Sequence, residues 1–174
     1  LEQAIALMEW NQVPAENFAR YNPLCGQPCP LENPLPEVPG FFPIEGAVPM
    51  KLIREGVIYM QDPATRHSVE MLAPQPGEII LDACAAPGGK AAMIAAAMNN
   101  QGTLIATDSN PKRLPRLEEN LKNLHITCAE ISAHDWLEPA PQKWHGHFDG
   151  ILLDVPCSNT GVLRRRVDAR WRLQ

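Results

Sequence analysis

Apolar residues in the second half of the chain alternate between the patterns of strands and of helices. Glu78–Asp82 and Thr103–Thr107 are short apolar runs that end at turn residues, and Lys90–Met98 between them is an alanine-rich segment. Runs of this length predict strands, and the longer alanine-rich segment predicts a helix. Strands that alternate with helices at this spacing predict right-handed βαβ units, and therefore a parallel sheet in an α/β fold.

The pattern continues with a second helix and two further strands. Asn110 is placed to cap a helix that runs to about Leu121, and Pro115 inside it predicts a later start or a kink. Ile126–Ala129 predicts a weaker third strand. Phe148–Asp154 predicts a fourth, and its continuous apolar run is typical of a strand that is covered on both faces.

The first part of the chain has a different pattern. Leu1–Trp10 has apolar residues at helical spacing and predicts a helix that ends by Pro14. Eight of the 18 prolines fall between residues 23 and 49, which predicts an extended connection with edge strands. Gly56–Met60 then predicts a strand, and Ala64–Leu72 predicts a helix.

These patterns divide the chain into two predicted regions. Residues 1–55 form a small, proline-rich α+β region, and residues 56–174 form the first part of the α/β domain. The apolar fraction of 45% is ordinary for a globular protein, and no apolar run is long enough to predict a membrane span. Because Leu1–Met8 carries a glutamate and no basic residue, no signal peptide is predicted and a cytoplasmic location is expected.

Five cysteines and the distribution of charge narrow the functional classes. An odd number of cysteines without a secretory signal favours free thiols over a disulfide framework. The net charge of −5 does not itself suggest a nucleic-acid partner, but residues 161–174 carry five arginines and one acidic residue. The alternative interpretation is a solvated start of a helix. The candidates for RNA contacts are Arg164, Arg165, Arg166 and Arg170.

The loop Ala85–Lys90, between the first strand and its helix, is a candidate cofactor site. A P-loop would need a glycine at position 84 and a serine or threonine at position 91, where Cys84 and Ala91 stand, so that interpretation is rejected. Adjacent Gly88 and Gly89 are a weak match to a dinucleotide fingerprint. What remains is a tight turn whose glycines let the backbone approach a ligand, in front of helix amides that can bind a carboxylate.

Two carboxylates follow the next strands of the predicted sheet. Asp108 ends the second strand, where an acidic residue binds a ribose diol in nucleotide-binding α/β folds, unless it only caps the following helix. Asp135 follows the third strand and is a candidate to bind an adenine amino group, or else lies in an exposed loop. A carboxylate site, a ribose site and an adenine site together suggest S-adenosylmethionine as the cofactor.

A carboxylate and a thiol, Asp154 and Cys157, stand close together after the fourth strand. The residues alone favour Cys157 as a nucleophile, since a thiolate can attack a substrate covalently. Asp154 would then stabilise the activated substrate by hydrogen bonding to it.

Two segments resemble motifs of the Nop/Sun family of RNA cytosine-5 methyltransferases. Leu81–Lys90 is similar to motif I of that family, and Asp154–Gly161 is similar to motif IV. Val162–Trp171 most resembles the bacterial RsmB (Fmu/Sun) branch, whose members methylate small-subunit ribosomal RNA. Arg20–Asn22 and Tyr59–Asp62 resemble weaker landmarks of the family. The resemblance implies methylation of carbon 5 of cytosine in ribosomal RNA, with a small N-terminal region of RNA-binding type.

The resemblance also implies roles for individual residues. Asp108 would hold the ribose of S-adenosylmethionine, Asp135 would lie beside the adenine, and Asp154 would lie between the cofactor and the target base. Cys157 would assist elimination and product release rather than attack the ring. The loop that would wrap the methionine and ribose consists of Cys84, Ala85, Ala86, Pro87, Gly88, Gly89 and Lys90.

In the family, the attacking thiol belongs to a later Thr-Cys element. The only Thr-Cys pair of this chain, Thr127-Cys128, lies in the predicted third strand, so Cys128 is expected to be a small core residue. By the same resemblance the sheet has seven strands, of which four are predicted here, in the order 3-2-1-4. We therefore expect a partial Rossmann-like sheet with an exposed apolar edge, completed by a segment beyond Gln174 or by a second chain. Such a chain should bind S-adenosylmethionine weakly or not at all and should not methylate RNA.

Other residues have weaker claims to a function. No second pair and no nearby histidine completes a zinc site with Cys25 and Cys29, so no metal is expected. Trp136, Trp144 and Trp171 are candidates to stack on bases, although packing in a core is the commoner role of tryptophan. The alternatives to a methyltransferase are a non-catalytic RNA-binding module and a nucleotide-dependent oxidoreductase.

Overall fold

The computed structural model describes residues 1–157, 160–165, 168 and 171. The chain divides into two compact units, Leu1–Glu16 with Val155–Gln174, and Asn17–Asp154. The smaller unit contains helix α1 (Glu2–Gln12), which confirms the predicted first helix, and a 3-10 turn at residues 160–162. In the described part of the chain, no helix is long and apolar enough to cross a membrane.

The larger unit begins with a three-stranded antiparallel sheet. Strand β1 (Asn17–Tyr21) lies between β2 (Phe41–Ile44) and β3 (Ile58–Met60). Helix α2 (Met50–Arg54) follows β2, and helix α3 (Arg66–Leu72) follows β3 after a 3-10 turn. The proline-rich stretch therefore supplies one edge strand, as expected, whereas β1 was not predicted.

The boundary predicted between residues 55 and 56 does not coincide with a boundary between sheets. Strand β3 pairs with β1 in antiparallel register, with Ala19 opposite Met60 and Tyr21 opposite Ile58. Ala19, Val57 and Ile58 form a small core of their own, in which each side chain is almost fully buried. The three strands are thus held together by hydrogen bonds and by one apolar cluster.

A second, parallel sheet contains the remaining strands in the order β6-β5-β4-β7. This arrangement confirms the predicted α/β class and the predicted order of third, second, first and fourth strand. The strands are β4 (Ile79–Asp82), β5 (Thr103–Asp108), β6 (Ala129–Ala133) and β7 (Gly150–Leu152).

Two helices pack on the parallel sheet. Helix α4 (Gly89–Ala97) buries most of its residues in the main core, which suits a helix that is apolar on nearly all sides. Helix α5 (Leu114–Asn123) buries Leu117 and Leu121. It begins after a 3-10 turn, so Pro115 stands in its first turn, where a missing N–H costs no hydrogen bond. The later start of this helix was one of the two predicted outcomes.

The third strand was predicted at the wrong position. It occupies Ala129–Ala133 rather than Ile126–Ala129, and Ala129 lies opposite Leu104 of β5. The residues before this strand form the turn that leads out of α5. The Ile126 N–H donates to the carbonyl of Leu121 at 3.0 Å, and the Thr127 N–H donates to the side chain of Asn100. Pairing with β5 therefore begins only at residue 128.

The fourth strand is shorter than predicted and is not covered on both faces. It spans three residues rather than Phe148–Asp154, and of these only Leu152 is buried. Ile151 is 57% exposed and Leu153 is 61% exposed. Within the described residues β7 pairs with β4 alone, which leaves these side chains without a covering layer. The prediction from the continuous apolar run, that both faces of this strand are covered, is therefore wrong.

Candidate active site

The parallel strands bring three carboxylates to one edge of the sheet. Asp82 ends β4, Asp108 ends β5, and Asp154 follows β7 by two residues. Ligands of open α/β sheets bind outside the carboxyl ends of the strands. This edge is therefore where the sequence-predicted site residues should meet.

The loop after β4 is fixed by backbone hydrogen bonds to both neighbouring strands. The Ala83 N–H donates to the Leu152 carbonyl at 3.0 Å, and the Ala85 N–H donates to the Thr107 carbonyl at 2.7 Å. The Gly88 N–H donates to the Ala85 carbonyl at 2.7 Å and closes a tight turn before α4. The shape of the loop is therefore set by the sheet from which it emerges.

Both glycines of this loop are required by the packing around them. Gly88 has φ of +108° at the cap of α4, and a Cβ there would lie 3.0 Å from Cδ1 of Leu117. A Cβ on Gly89 would lie 3.0 Å from Nε2 of Gln61 and 3.1 Å from Cε1 of Tyr59. Any side chain at these positions would displace its neighbours or strain the turn.

A cavity of about 250 Å³ opens beside the loop. Its walls include Cys84–Pro87 of the loop, Gly89 and Lys90 at the start of α4, and the side chains of Asp82 and Asp154. The first amides of an α-helix have no intrahelical partner and favour an anion. Most of the predicted cofactor loop and Asp154 thus border one cavity.

Asp82 lines this cavity but is itself almost completely buried. Its side chain is 1% exposed, and neither carboxylate oxygen has a hydrogen-bond partner among the described residues. Burial raises the pKa of Asp82 to about 7; the Cys84 backbone amide lowers it by less, and the charge of Asp154 raises it further. The nearby amide acts on the carboxyl electrostatically without reaching hydrogen-bond geometry. A buried carboxyl with a pKa near neutrality is a mark of functional sites.

Lys90 and Asp154 form an ion pair across the cavity wall. The side chain of Lys90 is 20% exposed and that of Asp154 is 52% exposed, so water partly screens the attraction. The cavity is therefore lined by an ammonium group and helix amides as well as by carboxylates. Such a distribution suits a ligand that carries both signs of charge.

Arg113 connects the cofactor loop to β5, and no sequence pattern predicted this contact. Its Nη1 lies 2.9 Å from Oδ2 of Asp108, and its Nη2 donates to the Ala86 carbonyl. Asp108 is 2% exposed, and its Oδ1 accepts a hydrogen bond from the Asn110 N–H at 3.0 Å. Asp108 therefore organises the turn that follows β5, whereas the residue that caps the next turn of helix is Asn110, whose side chain accepts from the Lys112 N–H. The role of Asp108 toward a ribose stays a prediction.

The loop after β6 is built on a tryptophan pair. Asp135 is exposed, and its Oδ1 accepts a hydrogen bond from the Leu137 N–H at 3.0 Å, so its role toward adenine stays a prediction. Trp136 and Trp144 stack with ring centroids 5.7 Å apart, and Nε1 of Trp136 donates to Oγ1 of Thr107 at 2.9 Å. Both tryptophans pack against a buried cluster of the sheet, which is the commoner of their two expected roles.

The cysteines occupy unlike environments. Burial and the carboxylates of Asp108, Asp82 and Asp154 raise the pKa of the Cys84 thiol, which disfavours a reactive thiolate there. Half-buried Cys128 packs against the main core, as expected for a small apolar residue. Cys25 and Cys29 are half-buried, and Cys157 is exposed. No group of three or more possible metal ligands occurs among the described residues.

Arg164 is engaged within the smaller unit. Its guanidinium carbon lies 4.2 Å from the ring centroid of Trp10, a stacked cation–π contact. Its Nε donates to the Val13 carbonyl at 3.0 Å, and its Nη2 donates to the Pro14 carbonyl at 2.9 Å. Arg164 thus fastens this segment to the end of α1.

The other predicted RNA contacts are described only in part. Arg165 is exposed, and Trp171 is 85% exposed. Arg166 and Arg170 lie outside the described residues, as do Ser158 and Asn159 of the second loop. Contact of the arginines with RNA stays a prediction.

The chain resembles known methyltransferases in sequence. Residues 69–174 match the family described as 16S rRNA methyltransferase RsmB/F. Ribosomal RNA small subunit methyltransferase B of Cronobacter sakazakii is 36% identical over 170 residues, which cover 98% of this chain and 36% of that protein. The chain spans between 26% and 36% of the length of the first curated relatives that it matches.

Solved structures share the fold. The crystal structure of PH0851 superimposes with a TM-score of 0.88 at 26% identity, covering 99% of this chain and 42% of that one. NSun6 from Pyrococcus horikoshii, solved with SFG, an analogue of S-adenosylmethionine, gives a TM-score of 0.57 at 32% identity, covering 69% of this chain and 30% of that one. These similarities confirm the Rossmann-like methyltransferase fold that the strand pattern and the family resemblance predicted.

Proposed function

The chain belongs to the 16S rRNA methyltransferase RsmB/F family, and we propose that it carries the cofactor pocket and part of the catalytic site of an RNA cytosine-5 methyltransferase. S-adenosylmethionine is the cofactor that the family and its structural neighbours indicate. The observation that carries the proposal is the cavity bordered by the loop after β4, the start of α4 and Asp154. The RNA proposed as substrate is small-subunit ribosomal RNA.

The charges around the cavity fit the amino-acid end of S-adenosylmethionine. The first amides of α4 favour its carboxylate, whereas Asp82 and Asp154 favour its positively charged groups. Pockets for drug-sized ligands enclose roughly 300–1,000 Å³, so a cavity of about 250 Å³ accommodates the amino-acid end rather than the whole cofactor. The ribose and adenine would extend along the same sheet edge toward Asp108 and Asp135.

Two residues of the segment that resembles motif IV, Asp154 and Cys157, would act on the target base. Carbon 5 of cytosine is a weak nucleophile until a thiolate adds to carbon 6, and the bound cofactor then supplies the methyl group. Asp154 would hydrogen-bond to the activated ring, and Cys157 would assist elimination and product release. No Thr-Cys element follows Asp154 in this sequence, so we expect that this chain alone does not methylate RNA.

The proposal predicts cofactor binding that can be separated from activity. Of the two outcomes expected from the sequence, weak binding or none, the proposal commits to weak binding: chemical-shift changes on titration with S-adenosylmethionine, centred on the loop after β4, and none with a nicotinamide dinucleotide. Shifts with the dinucleotide alone would instead support the oxidoreductase alternative.

A second measurement tests the reaction. The chain is incubated with S-adenosylmethionine and unmodified 16S ribosomal RNA, and the digested nucleosides are analysed by mass spectrometry. We expect no 5-methylcytosine. If 5-methylcytosine forms and is lost in Cys157→Ser but not in Cys25→Ser, Cys157 is the attacking thiol and the assignment of an absent nucleophile is wrong. Methylation at another base would contradict the cytosine-5 proposal itself.

A further inference from the structure

A buried arginine lies in the central strand of the first sheet. Arg20 of β1 is 6% exposed, and its Nε donates to Oε1 of Gln61 at 2.8 Å. Burial lowers the pKa of Arg20 to about 10, partly offset by Tyr59, so the guanidinium remains charged at neutral pH. Because a guanidinium has donors and no acceptor, it fixes which way the Gln61 amide faces. The carbonyl oxygen of Gln61 must point to Arg20, and its amide nitrogen must point away.

The amide nitrogen of Gln61 points to the start of α4. It lies 3.0 Å from the position that a Cβ on Gly89 would occupy, and Gln61 lines the same cavity as Gly89 and Lys90. Hydrogen-bond donors of two origins therefore border one cavity: the side-chain NH2 of Gln61, and the first backbone amides of the helix. Neither group can accept a hydrogen bond from a ligand at this point.

Donors at a helix N-terminus select an acceptor with negative charge. A carboxylate has two oxygens and accepts from both groups, whereas an ammonium group has no lone pair to offer them. Within the proposed function, on which this step rests, the group with that chemistry is the carboxylate of the methionine part of the cofactor. We propose that Gln61 donates a hydrogen bond to this carboxylate and that Arg20 is the positioning residue that orients Gln61.

A purely structural role would make a different prediction. If Gln61 only joins the first sheet to α4, its replacement should affect every ligand of the cavity equally, through the fold. If Gln61 binds the carboxylate, its replacement should affect only ligands that carry one. Decarboxylated S-adenosylmethionine lacks that single group and keeps the ammonium, the sulfonium, the ribose and the adenine.

The informative substitution is Gln61→Glu. It keeps an oxygen acceptor for Arg20, so the internal contact persists, and it replaces the donor by a negatively charged oxygen. The matched control is Gln101→Glu, the same change at an exposed glutamine that does not line the cavity. Arg20→Lys tests the positioning role, because a lysine keeps the charge but loses the planar fork that orients the amide.

Dissociation constants for both ligands are measured by NMR titration on the 174-residue chain, with melting temperature as a check on folding. We expect the Gln61→Glu variant to bind S-adenosylmethionine about tenfold to a hundredfold more weakly than the unaltered chain does. This is the range for the loss of one hydrogen bond to a charged group. Arg20→Lys should give a smaller loss, and Gln101→Glu should give none. For decarboxylated S-adenosylmethionine, Gln61→Glu should bind as well as the unaltered chain or better.

Three results would overturn the inference. Equal loss of both ligands in Gln61→Glu would show that Gln61 serves the fold, while cofactor binding by the unaltered chain would leave the proposed function standing. Equal affinity of the unaltered chain for the two ligands would show that no donor recognises the carboxylate. Absence of binding of either ligand to the unaltered chain would refute the cofactor pocket, and with it this inference.

Discussion

Replacement of Asp82 by asparagine should raise the free energy of unfolding above neutral pH. It should also remove the part of the pH dependence of that free energy that comes from ionisation of Asp82. Asp82 is 1% exposed, and burial raises its pKa from 3.8 to about 7. A carboxyl whose pKa is higher in the folded state than in the unfolded state binds its proton more tightly when folded. The resulting stability is fully present below pH 3.8 and is lost as the pH rises toward 7.

The size of this effect follows from the pKa difference. A difference of about three pKa units corresponds to roughly 4 kcal/mol of unfolding free energy, at about 1.36 kcal/mol per unit. Small rearrangements that let water reach the carboxylate reduce this cost, so we expect Asp82→Asn to gain about 2–4 kcal/mol at pH 8. Asparagine keeps the shape of the side chain without its charge, and at pH 4 the two proteins should differ little.

Urea unfolding followed by circular dichroism, at several values between pH 4 and pH 8, measures this difference. The control is Glu118→Gln, which removes an exposed carboxylate of α5 and should leave the pH profile unchanged. If Asp82→Asn is no more stable than the unaltered chain at pH 8, the carboxylate is ionised there without a penalty. Lys90 would then compensate its charge more strongly than the geometry indicates.

Three further substitutions test contacts that hold the site in place. Asn22→Ala should lower the free energy of unfolding by about 2–4 kcal/mol in urea, because Nδ2 of Asn22 donates at 2.9 Å to the carbonyls of both Gly56 and Leu124; an unchanged midpoint would show that water replaces the amide. Gly88→Ala should cost about 1–3 kcal/mol in the same assay, since φ is +108° and a leucine of α5 lies 3.0 Å from the new Cβ. Arg113→Gln should weaken S-adenosylmethionine binding several-fold in an NMR titration without altering the circular dichroism spectrum, and equal affinity would show that the loop holds its shape unaided.

The parallel sheet was predictable because each of its units repeats one local pattern. β4, α4 and β5 are long enough for their apolar positions to identify them, and the loop between β4 and α4 carries its own motif. The misplaced third strand and the overestimated fourth strand have a different origin. Their bounds depend on register against β5 and on whether another layer covers Ile151, and neither is encoded in the local pattern.

Strand β1 was not predicted because buried polar residues in it and directly after it interrupt the apolar alternation of a strand. Arg20 and Asn22 are buried at 6% and 2% exposure, where a periodicity argument expects apolar side chains. Arg20 has its partner in Gln61, and the side-chain amide of Asn22 donates to the carbonyls of Gly56 and Leu124, all distant in the sequence. The Oδ1 of Asn22 also accepts from the nearby Leu24 N–H. A buried polar residue must find a partner or destabilise the fold, so such residues mark where segments distant in the sequence are tied together. In this chain the tie formed by Arg20 ends at the wall of the cofactor cavity, which is why the first sheet is part of the site although it carries none of the predicted site residues.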